Sequence, residues 1–98
     1  MRVEFHPEAQ IEFIESALYY ERRVPDLGYR FIREIEHYSR LLQSHPELGQ
    51  IVEGKFRHLV LGQFPYSLIY AIETECIWIV AVAHHHQRPG YWQVRIVR

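Results

Sequence analysis

The sequence predicts an α+β fold in which a helical hairpin packs on a small antiparallel sheet, in the order β-α-α-β-β-β. Within residues 7–44, two consecutive segments carry apolar residues at the spacing of amphipathic helices. After Arg57 the character changes, and Val, Ile, Tyr and Trp dominate three short runs that turn residues separate. Helices that precede a block of strands, rather than alternate with strands, indicate helices laid on one side of an antiparallel sheet.

The first part of the chain predicts a strand and a helix. Residues 3–6 are a strand candidate, and Pro7 stands where a helix would begin. The helix is predicted to run to about Arg23. Its apolar residues recur at spacings of four, four and three: Ala9, Phe13, Ala17 and Tyr20.

A second helix is predicted after a break at Val24-Pro25, with Asp26 as its N-cap. The members of its apolar stripe are Phe31, Ile35, Tyr38 and Leu42. The sequence Ser-His-Pro at residues 44–46 ends it. Two helices joined by so short a break are expected to pack as a hairpin.

Three strands are predicted in the second half, after a loop over residues 46–56. They span residues 58–61, 66–72 and 76–84 and indicate an antiparallel meander. The second and third strands are apolar on both faces, so both faces are expected to be covered. The helices would cover one face, and the C-terminal segment or a partner would cover the other.

Length and composition indicate one soluble domain over residues 1–98. Hydrophobic residues make up 48% of the chain and charged residues 23%, which excludes a disordered composition. The single cysteine, Cys76, excludes an internal disulfide. The longest apolar run, residues 76–83, is far too short to cross a membrane, and residues 1–10 do not resemble a signal peptide. We therefore expect a cytoplasmic protein with no membrane partner.

The net charge of −1 is unevenly spread along the chain. Residues 1–53 carry six arginines against ten acidic residues, which gives −4. Residues 54–98 carry five basic residues against two acidic ones, which gives +3. The second half would suit an anionic partner better than the first, whereas the pI near 6.6 argues against a strong, purely electrostatic binder of nucleic acid.

The stretch AVAHHHQRPGYW carries the candidate chemistry. Alternation along the last strand would put His84 and His86 on the same side as Val80, and His85 on the other side. Even with His58 approaching from a neighbouring strand, these histidines do not obviously complete the three or four ligands of a metal site. No metal or other cofactor is expected.

An acid–base site needs fewer groups than a metal site. A histidine carries a proton near neutral pH, and a nearby cation stabilises the developing charge of a phosphate. The candidates are Lys55, Arg57, His84 or His85, Arg88 and Tyr91. Each also has a structural interpretation, as a solvated charge at a turn or strand edge or as an aromatic residue that closes the end of the core.

Four segments together resemble the RelE/ParE family of type II toxin–antitoxin toxins. They are LGYRFIREIE (27–36), SHPELGQIVEGKFRHLVL (44–61), FPYSLIY (64–70) and IWIVAVAHHHQRPGYW (77–92). The resemblance covers nearly the whole chain. Its most specific part is the FPYSLIY strand followed, after a turn, by an apolar strand that ends in His, Arg, Pro, Tyr and Trp.

The resemblance implies a small toxin, of the kind that stabilises plasmids or responds to stress, which a cognate antitoxin binds and silences. RelE-like members cut mRNA on the ribosome without a metal, whereas ParE-like members inhibit DNA gyrase. The family's active-site positions fall on Lys55, Arg57, His84 or His85, Arg88 and Tyr91. In the nuclease branch, the first two would hold the phosphate, a histidine would move protons and the tyrosine would orient the nucleotide.

Three functions remain open at this stage. They are a metal-independent, ribosome-dependent mRNA endoribonuclease, an inhibitor of DNA gyrase, and a non-toxic relative that only binds its antitoxin. The helices carry more aromatic residues than a small core readily hides, which suggests an antitoxin surface at Tyr19, Tyr20, Phe31 and Tyr38. These residues could instead pack internally or in a homodimer. A homodimer or a toxin–antitoxin hetero-oligomer is the expected assembly.

Overall fold

The fold is a five-stranded mixed sheet with two helices on one face, in a computed structural model that describes residues 1–96. The strands are β1 (Arg2–Phe5), β2 (Gln50–Glu53), β3 (Phe56–Val60), β4 (Tyr66–Ile72) and β5 (Cys76–His84). The helices are α1 (Pro7–Arg23) and α2 (Leu27–Ser44), and 3-10 helices span Pro46–Leu48 and Tyr91–Ile96. The strand order is β1-β5-β4-β3-β2, with β1 parallel to β5 and the other pairs antiparallel. The predicted α+β class and the order β-α-α-β-β-β are confirmed, with one strand added. The sheet was expected to be antiparallel throughout, and it is mixed because β1 joins β5 in parallel after the helical crossover.

The added strand is β2, which lies in the segment predicted to be a loop. It pairs with β3 through a two-residue turn at Gly54 and Lys55, where Gly54 adopts a left-handed φ of 56°. All four residues of β2 are exposed at the edge of the sheet. A short strand exposed on both faces has no alternation of apolar and polar residues, so the hydrophobic pattern could not predict it.

The N-terminus of α2 is capped by a residue of α1. The Glu21 carboxylate accepts hydrogen bonds from the backbone N–H groups of Asp26 and Gly28, both at 3.0 Å. Asp26, the predicted N-cap, adopts a φ of 71° and its side chain makes no capping hydrogen bond. The helices approach closely here, because a Cβ on Gly28 would lie 2.5 Å from the carbonyl oxygen of Ala17.

Two hydrophobic cores lie on opposite faces of the sheet. The helix-side core includes Phe31, Ile35, Leu42, Leu68, Tyr70 and Ile79. On the other face, Trp92 of the C-terminal 3-10 helix packs against Phe56, with ring centroids 5.2 Å apart, and belongs to the same cluster as Val80. The prediction that both faces are covered is confirmed, and the C-terminal segment covers the second one.

A β-bulge interrupts the alternation of β5. Ile69 of β4 pairs with Ala81, whereas the next residue, Tyr70, pairs with Ile79. One extra residue, Val80, therefore stands in β5 at this point. Such a bulge moves every following side chain to the opposite face from the one that strict alternation predicts.

The bulge corrects the predicted placement of the histidines. Val80 and Ala81 both belong to the core under the C-terminal segment. His84 consequently lies on the helix side, where it packs edge-on against Tyr66 with ring centroids 5.0 Å apart. The prediction that His84 shares a side with Val80 is therefore wrong. His85 lies on the other face, beside the C-terminal segment.

A partly buried ion pair, between Glu12 and Arg95, closes the outer edge of β5. Strand β1 pairs with β5 only as far as Ile79, so the edge beyond it has no neighbouring strand. There Arg95 donates to the carbonyl oxygen of Val80 at 2.9 Å, and the Glu12 carboxylate accepts from the backbone N–H of Val82 at 2.9 Å. Two hydrogen bonds, at 2.9 and 2.7 Å, join the two side chains, which are only 8% and 18% exposed. The pair thus supplies a donor and an acceptor to a bare strand edge.

Replacing Glu12 by glutamine is expected to lower the free energy of unfolding by about 3–5 kcal/mol, because the Arg95 charge stays buried without its partner. The NH₂ group of the glutamine would also face Val82, Tyr91 or Arg95, all of which are hydrogen-bond donors at this site. The matched control is Glu15→Gln, one turn further along α1 and exposed, for which a change within about 0.5 kcal/mol is expected. Urea denaturation of both variants measures the difference, and equal effects would contradict the assigned role.

Candidate functional site

The predicted site residues do not all lie together, and Arg57 is the clearest case of a residue that lies apart. It stands on the helix side of β3, opposite Tyr70 of the adjacent strand. Its guanidinium donates to the carbonyl oxygens of Gly49 at 2.8 Å and Glu47 at 3.3 Å. The Tyr70 hydroxyl holds the same segment, since it donates to the carbonyl oxygen of Pro46 at 2.6 Å and accepts from the N–H of Gly49 at 2.9 Å. Arg57 therefore anchors the segment that precedes β2.

Lys55 is separate from Arg57 and lies in the turn between β2 and β3. Its ammonium pairs with the Glu73 carboxylate at 3.0 Å, and more than half of the Lys55 side chain is exposed. The pair connects this turn to the turn between β4 and β5. The two cations that the family resemblance places at one phosphate site thus bind different parts of the protein.

An open cleft of about 480 Å³ lies between the sheet and the C-terminal segment. We call it the C-terminal cleft. It brings together His85, Arg88 and Tyr91 with His58, which was expected to approach from a neighbouring strand, and with Ser67, which was not expected there. His85 Nε2 lies 3.2 Å from Ser67 Oγ, within hydrogen-bonding distance. The imidazoles of His58, His84 and His85 therefore line one concave surface with the Ser67 hydroxyl and the Arg88 guanidinium.

Tyr91 forms part of the wall of the C-terminal cleft, but its hydroxyl binds elsewhere. It donates to Glu12 Oε2 at 2.6 Å, and the Arg95 guanidinium lies over its ring, 5.0 Å from the centroid. Burial, and then the hydrogen bond to Glu12, raise the pKa of the Tyr91 hydroxyl far above its ordinary value. Tyr91 therefore keeps its proton and anchors the C-terminal segment to α1.

His84 lies on the helix side of the sheet, at the end of β5. Its Nδ1 accepts a hydrogen bond from the backbone N–H of His86 at 3.0 Å, so the neutral ring carries its hydrogen on Nε2. Burial lowers the pKa of His84, and the neighbouring imidazoles of His86 and His85 lower it further. His84 lines a second groove of about 370 Å³, between α1 and the ends of β4 and β5.

Sequence reasoning missed Glu12, Arg95 and Ser67. Glu12 flanks the apolar stripe of α1, a position where acidic side chains are usually solvated, and no short motif connects it to an arginine 83 residues later. Ser67 stands in an apolar strand and faces the C-terminal cleft. The one available signal for Ser67 was its polar character within a run predicted to be covered on both faces.

Two observations concern the whole described part of the chain. Among residues 1–96, no three His, Cys, Asp or Glu side chains are grouped so that they could hold a metal ion. No helix in that range is long and apolar enough to cross a membrane.

The His84 imidazole is expected to titrate below about pH 6.5, because protonation charges a partly buried ring and removes the acceptor for the N–H of His86. The unfolded chain then takes up this proton at a higher pH than the folded chain does. The stabilising contribution of neutral His84 is therefore complete above about pH 6.5 and is lost as the pH falls.

Imidazole NMR signals followed with pH measure this titration directly. The variant His84→Gln should remove this part of the pH dependence of the free energy of unfolding, while His37→Gln, exposed on α2, should leave it in place. A titration of His84 at or above pH 6.5 would contradict the expectation.

A family model and a solved structure are both similar to this chain. The model of the family "ParE toxin of type II toxin-antitoxin system, parDE" matches residues 3–89. A chain from the chromosomal ParDE TA system of P. aeruginosa has a similar fold, with a TM-score of 0.74 and 18% sequence identity over 86% of this chain and 95% of that chain. No curated protein matches the chain in sequence. Since the family model spans most of its length, the chain belongs to the ParE toxin family of type II toxin–antitoxin systems.

Proposed function

We propose that this chain is the toxin of a type II toxin–antitoxin module, that a cognate antitoxin binds it, and that it acts by binding its target, DNA gyrase. The observation that carries the choice of binding over catalysis is the position of Arg57. Its guanidinium donates to two backbone carbonyl groups on the helix side of the sheet, whereas His85 lines the cleft on the opposite side.

A metal-independent ribonuclease needs a base, an acid and cations around one phosphate. In this chain Arg57 anchors a loop, and Lys55 pairs with Glu73. The Tyr91 hydroxyl donates to Glu12. The two cations that the resemblance assigns to the phosphate, Lys55 and Arg57, therefore lie outside the cleft that holds His85 and Arg88, which supports action by binding.

The outer face of α1 supports the antitoxin as a partner. Ile11, Ile14 and Leu18 recur at helical spacing and are 53%, 49% and 47% exposed. A half-exposed aliphatic stripe of this kind suits the apolar face of a partner helix. Phe31, which the sequence analysis counted among the surplus aromatic residues, is fully buried and packs against Tyr20. The aliphatic stripe, rather than Phe31, carries this part of the proposal.

Purified protein at micromolar concentration is expected to inhibit supercoiling of relaxed plasmid by gyrase and to leave ribosome-bound mRNA intact. Gel assays of plasmid topology and of mRNA length measure both activities, with heat-unfolded protein as the control. Undiminished supercoiling together with cleaved mRNA would overturn the proposal in favour of a nuclease. Unchanged growth on confirmed expression without an antitoxin would favour a non-toxic relative.

A specific feature favours metal-independent mRNA cleavage as the second candidate. The C-terminal cleft contains His58, His85 and Arg88, with Ser67 Oγ near the His85 ring. One imidazole could accept the proton of the RNA 2′-hydroxyl, the other could protonate the leaving oxygen, and the guanidinium could hold the phosphate.

If this second function is correct, cleavage survives EDTA and falls by about 10²-fold or more in His85→Ala, the loss typical of a general acid or base. Lys55→Ala is the matched control and should cleave at the normal rate, because Lys55 pairs with Glu73 outside the cleft. Single-turnover cleavage of a ribosome-bound mRNA measures both variants. Equal rates for the two would exclude the assigned role of His85.

A further inference from the structure

The groove between α1 and the ends of β4 and β5 has the chemistry of a cation site. Three tyrosine rings, those of Tyr19, Tyr20 and Tyr66, line it together with the Glu15 carboxylate and the His84 ring. We call it the tyrosine groove. We propose that it binds the guanidinium of an arginine side chain from a partner polypeptide. The proposal rests on the proposed function in one respect, since the partner in question is the antitoxin.

The charges on the residues that line the tyrosine groove favour a cation. Its lining contains two carboxylates and, among residues 1–96, no lysine or arginine. The Glu12 carboxylate is already filled, because it accepts from the N–H of Val82, from Tyr91 and twice from Arg95. Glu15 is exposed and makes no ion pair with any residue in that range. The groove therefore offers one uncommitted negative charge at its rim.

The uncharged groups of the groove are also suited to a cation. His84 is held as a neutral ring, with its Nδ1 occupied by the N–H of His86. Tyr66 is 6% exposed, and its ring centroid lies 6.2 Å from that of Tyr20. Burial raises the pKa of Tyr20 to about 12, so the Tyr20 hydroxyl is neutral at cellular pH. The faces of tyrosine rings attract cations.

The chain itself contains the same type of contact at the rim of the groove. The guanidinium carbon of Arg23 lies 4.7 Å from the centroid of the Tyr19 ring. A second guanidinium, bound in the groove, could contact the rings of Tyr20 and Tyr66 and pair with the Glu15 carboxylate. A guanidinium fits better than an ammonium, since it is planar, stacks on aromatic rings and donates to a carboxylate through two parallel hydrogen bonds.

The surroundings of the groove indicate that the cation belongs to a polypeptide. Glu15 and Tyr19 lie on α1 next to the half-exposed stripe of Ile11, Ile14 and Leu18. A free small cation would leave this stripe in water. An amphipathic helix could cover the stripe with its apolar side chains and place an arginine from its flank in the groove.

The experiment is an NMR titration of the full chain with arginine blocked at both ends, compared with blocked citrulline, which has the same shape without the charge. Blocked arginine is expected to give saturable shifts of the Tyr19, Tyr20 and Tyr66 ring signals in the millimolar range, and blocked citrulline is not. In Glu15→Gln the apparent affinity should fall about two- to five-fold, the range for an exposed ion pair. The control Glu36→Gln, exposed on α2, should bind as the wild type does.

The proposal is overturned if the two probes shift the tyrosine signals equally, or if Glu15→Gln and Glu36→Gln bind alike. Failure of the proposed function gives a different pattern. A protein that neither stops growth nor inhibits gyrase, but whose groove still discriminates arginine from citrulline, would disprove the toxin proposal and leave the groove assigned. A toxic protein whose groove does not discriminate arginine from citrulline would support the toxin proposal and disprove the assignment of the groove.

Discussion

The ion pair between Glu12 and Arg95 is the interaction on which the second half of the structure depends. Strand β1 covers only the first part of the outer edge of β5, and the pair supplies the missing donor and acceptor beyond it. Moving a charge pair out of water costs desolvation free energy. This cost is offset here because the Glu12 carboxylate accepts four hydrogen bonds, from Val82, from Tyr91 and two from Arg95. Through this pair the C-terminal segment is held over the sheet, and with it Trp92 and one wall of the C-terminal cleft.

The second constraint is the bulge at Val80, which decides what each histidine can do. Without it, strict alternation would place His84 on the same face as Val80, under the C-terminal segment. With the extra residue, His84 enters the tyrosine groove as a neutral ring, and His85 faces Ser67 in the C-terminal cleft. A single inserted residue therefore gives adjacent histidines different surroundings, because His84 lines both the tyrosine groove and the C-terminal cleft, whereas His85 lines the cleft alone.

The features that depend on local periodicity could be predicted from the sequence. Contacts between residues far apart in the chain could not. The apolar stripes of α1 and α2 and the composition of β3, β4 and β5 are local, so the fold class could be predicted. The capping of α2 by Glu21 instead of Asp26, and the anchoring role of Arg57, depend on groups brought together by folding. The same reason explains why Glu12 was missed, since its partner Arg95 lies at the other end of the chain.

The Glu12 carboxylate connects the tyrosine groove to a residue of the C-terminal cleft, which has a consequence for any partner that binds α1. Glu12 lines the tyrosine groove and, through its Oε2 atom, also binds the Tyr91 hydroxyl, which forms part of the wall of the C-terminal cleft. A partner that left this carboxylate in place would fix α1 and the C-terminal segment more firmly together. A partner whose arginine withdrew the carboxylate from Tyr91 and Arg95 would instead weaken the contact that holds the segment on the sheet. Binding in the tyrosine groove can therefore affect the C-terminal cleft on the other face of the sheet, through Glu12 and its hydrogen bonds to Tyr91 and Arg95.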